Sequence, residues 1–207
     1  MPTVYHITHV GNLTSIIAHG GLFSDNGRNA MNVGATEIAH AHIKARRAAR
    51  IVPVGPKGTL ADYVPFYFAP RSPMLNAIYH SQVSTYQGGQ APIVHLVTTT
   101  EAVAEAGLTS VFTEGAAEIA FSRFFTDPAD FVNIHWDVMT ATWWNDTQEH
   151  PDRKRQRQAE FLAHEFMPWE LIHGIGVFNH AMKSATEAAI GNAAHQPPVF
   201  VSRSWYY

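Results

Sequence analysis

Apolar positions along this chain switch between an alternating and a helical spacing, and the switches delimit its elements. Residues 3–8 read as a first strand, bounded by Gly11. From Asn12 to His19, Leu13, Ile16 and Ile17 share one helical face and Gly20-Gly21 supplies a stop. Residues 24–35, rich in Asn, Gly and Ser, read as a loop. A helix is predicted from Thr36-Glu37 to about Arg50, with its basic residues at the end that suits the helix macrodipole. Pro65-Phe66-Tyr67-Phe68-Ala69 is a short aromatic run read as a buried strand, and Pro73 opens a helix through His80 at the favoured first position. Ala91–Val97 reads as another buried strand, followed by a helix capped by Thr100 and ending at Gly107.

Further short strands are expected at 111–112, 131–134, 159–164, 171–177 and 199–202, with a helix from Ala181 to Ile190. Strands and helices mix without regular βαβ alternation, so the class is α+β. Residues 113–157 are long and poor in clear elements, a length that inside a compact domain tends to be functional.

With 207 residues, 46% hydrophobic and 15% charged, the chain is expected to form one domain, 1–207, with an ordinary buried core. No apolar stretch approaches a membrane span, and no basic-then-apolar leader opens the chain, so a cytoplasmic, membrane-free protein is expected. The absence of cysteine excludes disulfides, thiolate zinc sites and a cysteine nucleophile.

Net charge of −3 argues against a uniformly basic nucleic-acid binder, but the cations are concentrated. Lys44, Arg46, Arg47 and Arg50 form one cluster and Arg153, Lys154, Arg155 and Arg157 another, together eight of the 14 Lys and Arg residues. Local charge decides whether a groove attracts phosphates. The second cluster runs straight into a short apolar segment with one carboxylate, Glu160, at its start. It reads either as a solvated loop before an edge strand or as part of a site for a phosphate-bearing substrate.

Thirteen histidines invite a metal reading, but no His-Glu-x-x-His motif occurs, and His40 and His42 on one helix would point about 200° apart. No metal is expected. Gly-x-Ser-x-Gly, Walker and Gly-x-Gly-x-x-Gly motifs are absent, which disfavours serine hydrolases, P-loop enzymes and Rossmann dehydrogenases. On the first strand, His6 and Thr8 point to one face, where they could grip a sugar or an amide or simply be solvated.

Tyr5-His6-Ile7-Thr8-His9 with Asn12-Leu13, then Ile43-Lys44-Ala45-Arg46-Arg47, then Pro65-Phe66-Tyr67-Phe68-Ala69-Pro70-Arg71-Ser72-Pro73-Met74, then Arg157-Gln158-Ala159-Glu160-Phe161-Leu162, and Pro168-Trp169-Glu170-Leu171 resemble the DarT family. DarT proteins are toxins of bacterial toxin–antitoxin pairs that ADP-ribosylate DNA. The resemblance runs over nearly the whole chain, and the block from Pro65 to Met74 is its most specific part. It implies an ADP-ribosyltransferase fold of the PARP-like branch, a split central β-core flanked by helices that clamps NAD as co-substrate.

Carried over residue by residue, the resemblance implies a catalytic Glu160 and an assisting arginine in the Arg46-Arg47 pair, with Arg47 favoured. It implies that His6, Ile7, Thr8, Ser15, Phe23, Arg47 and Tyr67 contact NAD. Arg46, Arg153, Lys154, Arg155 and His150 are the expected contacts to single-stranded DNA, with Trp143 and Trp144 either stacking surfaces or core. The implied acceptor is a thymine base in single-stranded DNA, and the implied partner an antitoxin with an ADP-ribose-removing macrodomain, DarG-like. Alternatives are a related transferase acting on RNA or a terminal phosphate, and a nucleic-acid-binding module without catalysis.

Overall fold

The computed structural model describes residues 1–207. In chain order the regular elements are β1 (Thr3–His9), α1 (Leu13–Ala18), β2 (Gly21–Phe23), α2 (Asp25–Ala30), α3 (Ala41–Ala49), β3 (Tyr63–Tyr67), α4 (Pro73–Tyr79), β4 (Ile93–Thr99), α5 (Thr100–Glu105), β5 (Ser110–Ala116), β6 (Phe124–Phe125), α6 (Trp136–Thr140), α7 (Arg153–Gln156), β7 (Ala159–His164), β8 (Phe166–Pro168), β9 (Gly174–Val177), α8 (His180–Ile190) and β10 (Val199–Val201). Short 3-10 turns link several of them. No helix is long and apolar enough to cross a membrane.

Eight strands form one sheet in the order β10-β9-β4-β1-β3-β7-β5-β6, and β2 pairs with β8 apart from it. Only β9 and β10 run parallel. The joint between β1 and β3 is the distinctive one. β1 matches β4 over seven residue pairs but meets β3 only at Tyr5↔Tyr67. β3 is fully engaged on its other side, pairing with β7 from Tyr63↔His164 to Tyr67↔Glu160. Pro65 has no N–H for a ladder bond to β1, and its carbonyl is taken instead by the His6 side chain, Nδ1 to O 2.8 Å. The sheet is therefore split at its centre, and side chains of both parities on β1 can reach the opening.

Alternation along the strands sorts the core. Val4, Val64, Phe66, Phe161 and Ala163 belong to the largest apolar cluster, which α8 joins through Ile190. On the other face, Ile7, Leu75, Ile78, Ile93 and Tyr206 form a second cluster, and Val52, Leu60, Tyr63 and Leu162 a third.

Several expectations are corrected. The loop at 24–35 contains α2, because Ser24 caps it by accepting from Gly27 N and Asp25 sits in the first turn. The helix expected from Thr36 begins at Ala41; residues 33–38 form no regular element, and Asn12 holds the Thr36 backbone through its N–H and carbonyl. Residues 131–134 lie in and just after a 3-10 turn, Pro128–Asn133, rather than a strand, opened by Pro128 after a capping Asp127. Thr99, not Thr100, caps α5. His40 falls outside α3 as its N-cap, so its ring comes within 5.0 Å of the His42 ring instead of pointing away. No group of three or more His, Cys, Asp or Glu side chains converges as a metal-holding cluster.

A testable consequence concerns the two-stranded pair. A Cβ on Gly21 would lie 2.2 Å from the backbone oxygen of Met167, which has no room to yield. Gly21→Ala should cost about 1–3 kcal/mol and lower the melting temperature by several degrees, with far-UV circular dichroism otherwise preserved.

Candidate active site

At the sheet's split a cleft of about 340 Å³ opens between β1, α1, α2, the 33–40 segment, α3, β3 and β7. At its head, α3 places Arg47 over β7, and Arg47 Nη1 donates to Glu160 Oε2 at 2.7 Å. Both side chains are buried, at 11% and 5% exposure. A buried pair of charges needs every remaining lone pair and proton engaged if it is not to be costly. Glu160 Oε1 accepts from Ala117 N at 3.1 Å, and Glu160 N donates to Thr113 Oγ1 at 3.2 Å. The Ala117 amide reaches this position because the β5–β7 register shifts between Phe112 and Ala116. Arg50 fixes the following turn by donating to the carbonyls of Ala117, Ile119 and Ala120.

Burial raises the Glu160 carboxyl above the usual glutamate range, against the opposing pull of Arg47. Burial pulls the Arg47 guanidinium down, but the facing carboxylate outweighs it and the guanidinium stays protonated. Arg47 Nη2 is buried with no hydrogen-bond partner. One donor at the head of the cleft is thus left for a ligand.

The walls carry all the residues expected at the NAD end. His6, Ile7, Thr8, Ser15, Phe23 and Tyr67 line the same cleft as Arg47 and Glu160. Tyr67 faces Glu160 in the strand register, and burial, reinforced by Glu160, raises its phenol well above the ordinary value. His6 gives its Nδ1 proton to the Pro65 carbonyl, which leaves Nε2 as an acceptor; burial lowers its pKa, so it stays neutral. Thr8 Oγ1 accepts from Asn12 Nδ2 at 3.0 Å, leaving its hydroxyl proton free to donate.

Other lining residues had no site role assigned from the sequence. Asn12 clamps the backbone of Thr36 from both sides, 2.7 Å from its N–H and 3.1 Å from its carbonyl. Next to it Glu37 pairs with Arg28 and with Lys44, the latter also with Asp25. Glu118 lines the cleft and meets Arg46 at 3.6 Å. Of the Arg46-Arg47 pair, Arg47 is the one that meets Glu160, whereas Arg46 is 52% exposed.

The second basic cluster is not one cationic face. Arg155 donates to Asp152, Glu114 and Ser122, and it lies across Gly115 so closely that a Cβ there would come 2.2 Å from its guanidinium. Arg157 is 3% exposed and caps α6 by donating to the carbonyls of Val138, Met139 and Ala141. No carboxylate faces it, and burial lowers it to about 10. Arg153 donates to the Trp143 carbonyl, while Lys154 and His150 are exposed. Trp143 is 78% exposed, whereas Trp144 packs against the main core.

The Arg47–Glu160 pair generates a stability test. Replacing Arg47 by Met strands a buried carboxylate, an effect of about 3–5 kcal/mol for such pairs. Without Arg47 the Glu160 carboxyl rises further, so the folded chain binds its proton more tightly than the unfolded chain. The deficit of Arg47→Met should therefore shrink as pH falls through the raised value. Adding Glu160→Gln should recover most of it at neutral pH; denaturant melts across pH check both.

Comparison with known proteins identifies the family. Residues 5–207 match a family described as "ssDNA thymidine ADP-ribosyltransferase, DarT". A Thermus aquaticus protein named DNA ADP-ribosyl transferase is 43% identical over 210 residues, covering 100% of this chain and 90% of that one. The structure of Thermus sp. 2.9 DarT in complex with ADP-ribosylated ssDNA superposes with a TM-score of 0.93 at 39% identity, covering 100% of this chain and 96% of that one. The same protein in complex with NAD+ gives 0.87 at 36% identity, with 100% and 98% covered. The split sheet, its buried Arg–Glu head and these matches have one meaning: the chain belongs to the DarT family and is a DNA ADP-ribosyltransferase.

Proposed function

We propose that this enzyme transfers ADP-ribose from NAD to a thymine base of single-stranded DNA, releasing nicotinamide. The observation that carries the reading is the buried Arg47–Glu160 pair at the head of a cleft onto which His6, Thr8 and Tyr67 converge. The donor set fits a dinucleotide: an unpartnered Arg47 Nη2, a free Thr8 hydroxyl proton, and aromatic walls in Tyr67 and Phe23. NAD supplies a glycosidic bond whose cleavage leaves positive character on the ribose carbon. Glu160, fixed by Arg47 and the Ala117 N–H, offers its negative charge to that carbon without reorganising.

A thymine ring nitrogen loses a proton as it attacks, and the burial-raised Glu160 carboxylate is the group suited to take it. Arg47 remains protonated and serves by holding Glu160 and by polarising a carbonyl or steadying a phosphate. Lys154 and the rim residue Arg46 meet the DNA backbone, and exposed Trp143 offers a face for a base. Arg155 acts behind them by holding the β5 turn. The family resemblance supports a toxin role, with a macrodomain antitoxin that removes the modification.

Incubation with NAD and thymine-containing single-stranded DNA should add the mass of one ADP-ribose to the oligonucleotide; modification of RNA or of DNA lacking thymine instead would overturn the acceptor assignment. Glu160→Gln should lose on the order of 10²- to 10³-fold in rate or more while still binding NAD by calorimetry. Since burial raises the Glu160 pKa and the carboxylate is the active form, activity should fall on acidification at a pH above the ordinary glutamate range. The double variant Arg46→Ala/Lys154→Ala should raise the KM for DNA and leave NAD affinity unchanged. Arg155→Ala should instead lower the melting temperature, which separates contact from support.

A further inference from the structure

The cleft holds a charge balance that an anionic ligand must overturn. Its permanent cations are Arg28, Lys44 and Arg47, and its carboxylates are Asp25, Glu37, Glu118 and Glu160. Three against four is the wrong sign for a dinucleotide carrying two phosphate charges. Arg47 is committed to Glu160 at the reacting end. Apart from Arg47, which keeps one free donor at the reacting end, the lining cations are Arg28 and Lys44, and Glu37 holds both, one through each carboxylate oxygen, with Lys44 at 2.8 Å.

We propose that Glu37 is a built-in surrogate for the diphosphate: its two oxygens occupy the cations that the NAD phosphates need, and NAD binds by displacing it. This rests on the assignment of NAD as co-substrate. The geometry allows displacement without moving the backbone. Thr36 is clamped by Asn12 through N–H and carbonyl, and the Ala39 carbonyl accepts the Thr85 hydroxyl at 3.1 Å. Between those two anchors the Glu37 side chain is 37% exposed, free to swing into water. Arg28 Nε is buried without a partner, so the guanidinium has a further donor for an incoming phosphate oxygen. Asp25 keeps Lys44 oriented at 3.1 Å after Glu37 leaves. Phosphate oxygens can replace both carboxylate contacts, and a diphosphate brings two charges to the two cations. Until a ligand arrives, Glu37 keeps the like charges of Arg28 and Lys44 neutralised in the cleft.

Removing the competitor should tighten binding, an outcome that no merely structural role would give. Calorimetry with NAD and, separately, with inorganic pyrophosphate is the test. Glu37→Gln should lower both dissociation constants by about three- to tenfold, as expected for losing two half-exposed ion pairs. Glu37→Asp, which keeps the charge, should stay closer to wild type, and Lys44→Met should weaken both ligands. Unchanged or weaker binding in Glu37→Gln would overturn the surrogate role and make Glu37 a support for the cations. If the wild type takes pyrophosphate but no NAD, and Glu37→Gln tightens pyrophosphate alone, the co-substrate assignment fails and the diphosphate site stands.

Discussion

One buried ion pair, Arg47 with Glu160, organises the molecule around it. Its partners are 113 residues apart in sequence. Desolvating two charges is unfavourable unless the surrounding groups complete their hydrogen bonds, so the pair dictates the shape of what it touches. The β5 strand must break register to aim Ala117 N at the carboxylate. Thr113 holds the break together, accepting from Glu160 N and donating to Gly115 O at 2.7 Å. Gly115 in turn has no side chain because Arg155, bound to the buried Glu114, lies across it. Two ion pairs, one in the cleft and one behind it, thus fix the same turn from opposite sides.

The split in the sheet is the complementary constraint. A continuous sheet would pair the β1 backbone beyond Tyr5 with that of β3. With a single residue pair joining β1 to β3, the backbone there must find other partners. The His6 ring satisfies the Pro65 carbonyl, and Thr8 engages Asn12. Polar side chains are therefore placed at the opening for structural reasons, and the same placement makes them available to a ligand. The residues that hold the split also line the site.

The strands β1, β4 and β7 and the helix α4 were legible because each has a clear period and local punctuation, such as Ser72 and Pro73 opening α4. α2 was hidden by a composition of Asn, Gly and Asp that usually means a loop, and it is helical because Ser24 and Asp25 satisfy its first turn. β2 and β8 are three residues each, stabilised by each other and by the Phe23–Phe166 contact at 4.6 Å, and so lack any local signature. Of the cleft, the residues now found at its head and walls were named from the family resemblance. Glu37, Arg28 and Asp25 were not, since charged residues in a Gly- and Asn-rich stretch look solvated until the fold brings them to one cleft. The run from Arg153 to Arg157 divides in the structure: Arg155 and Arg157 are internal braces, while Lys154 is exposed.

Those braces have a consequence for how the protein senses salt. A single strand of nucleic acid gives up condensed counterions only where a cation reaches its phosphates, about 0.7 logarithmic units of affinity per logarithmic unit of salt for each. Lys44, Arg47, Arg50, Arg155 and Arg157 already have carboxylates or carbonyls as partners. Of the eight clustered cations, few remain to exchange sodium for phosphate. Affinity for a polyanion should thus depend on ionic strength only shallowly, and contacts to the bases must carry more of the grip than the charge pattern of the chain suggests.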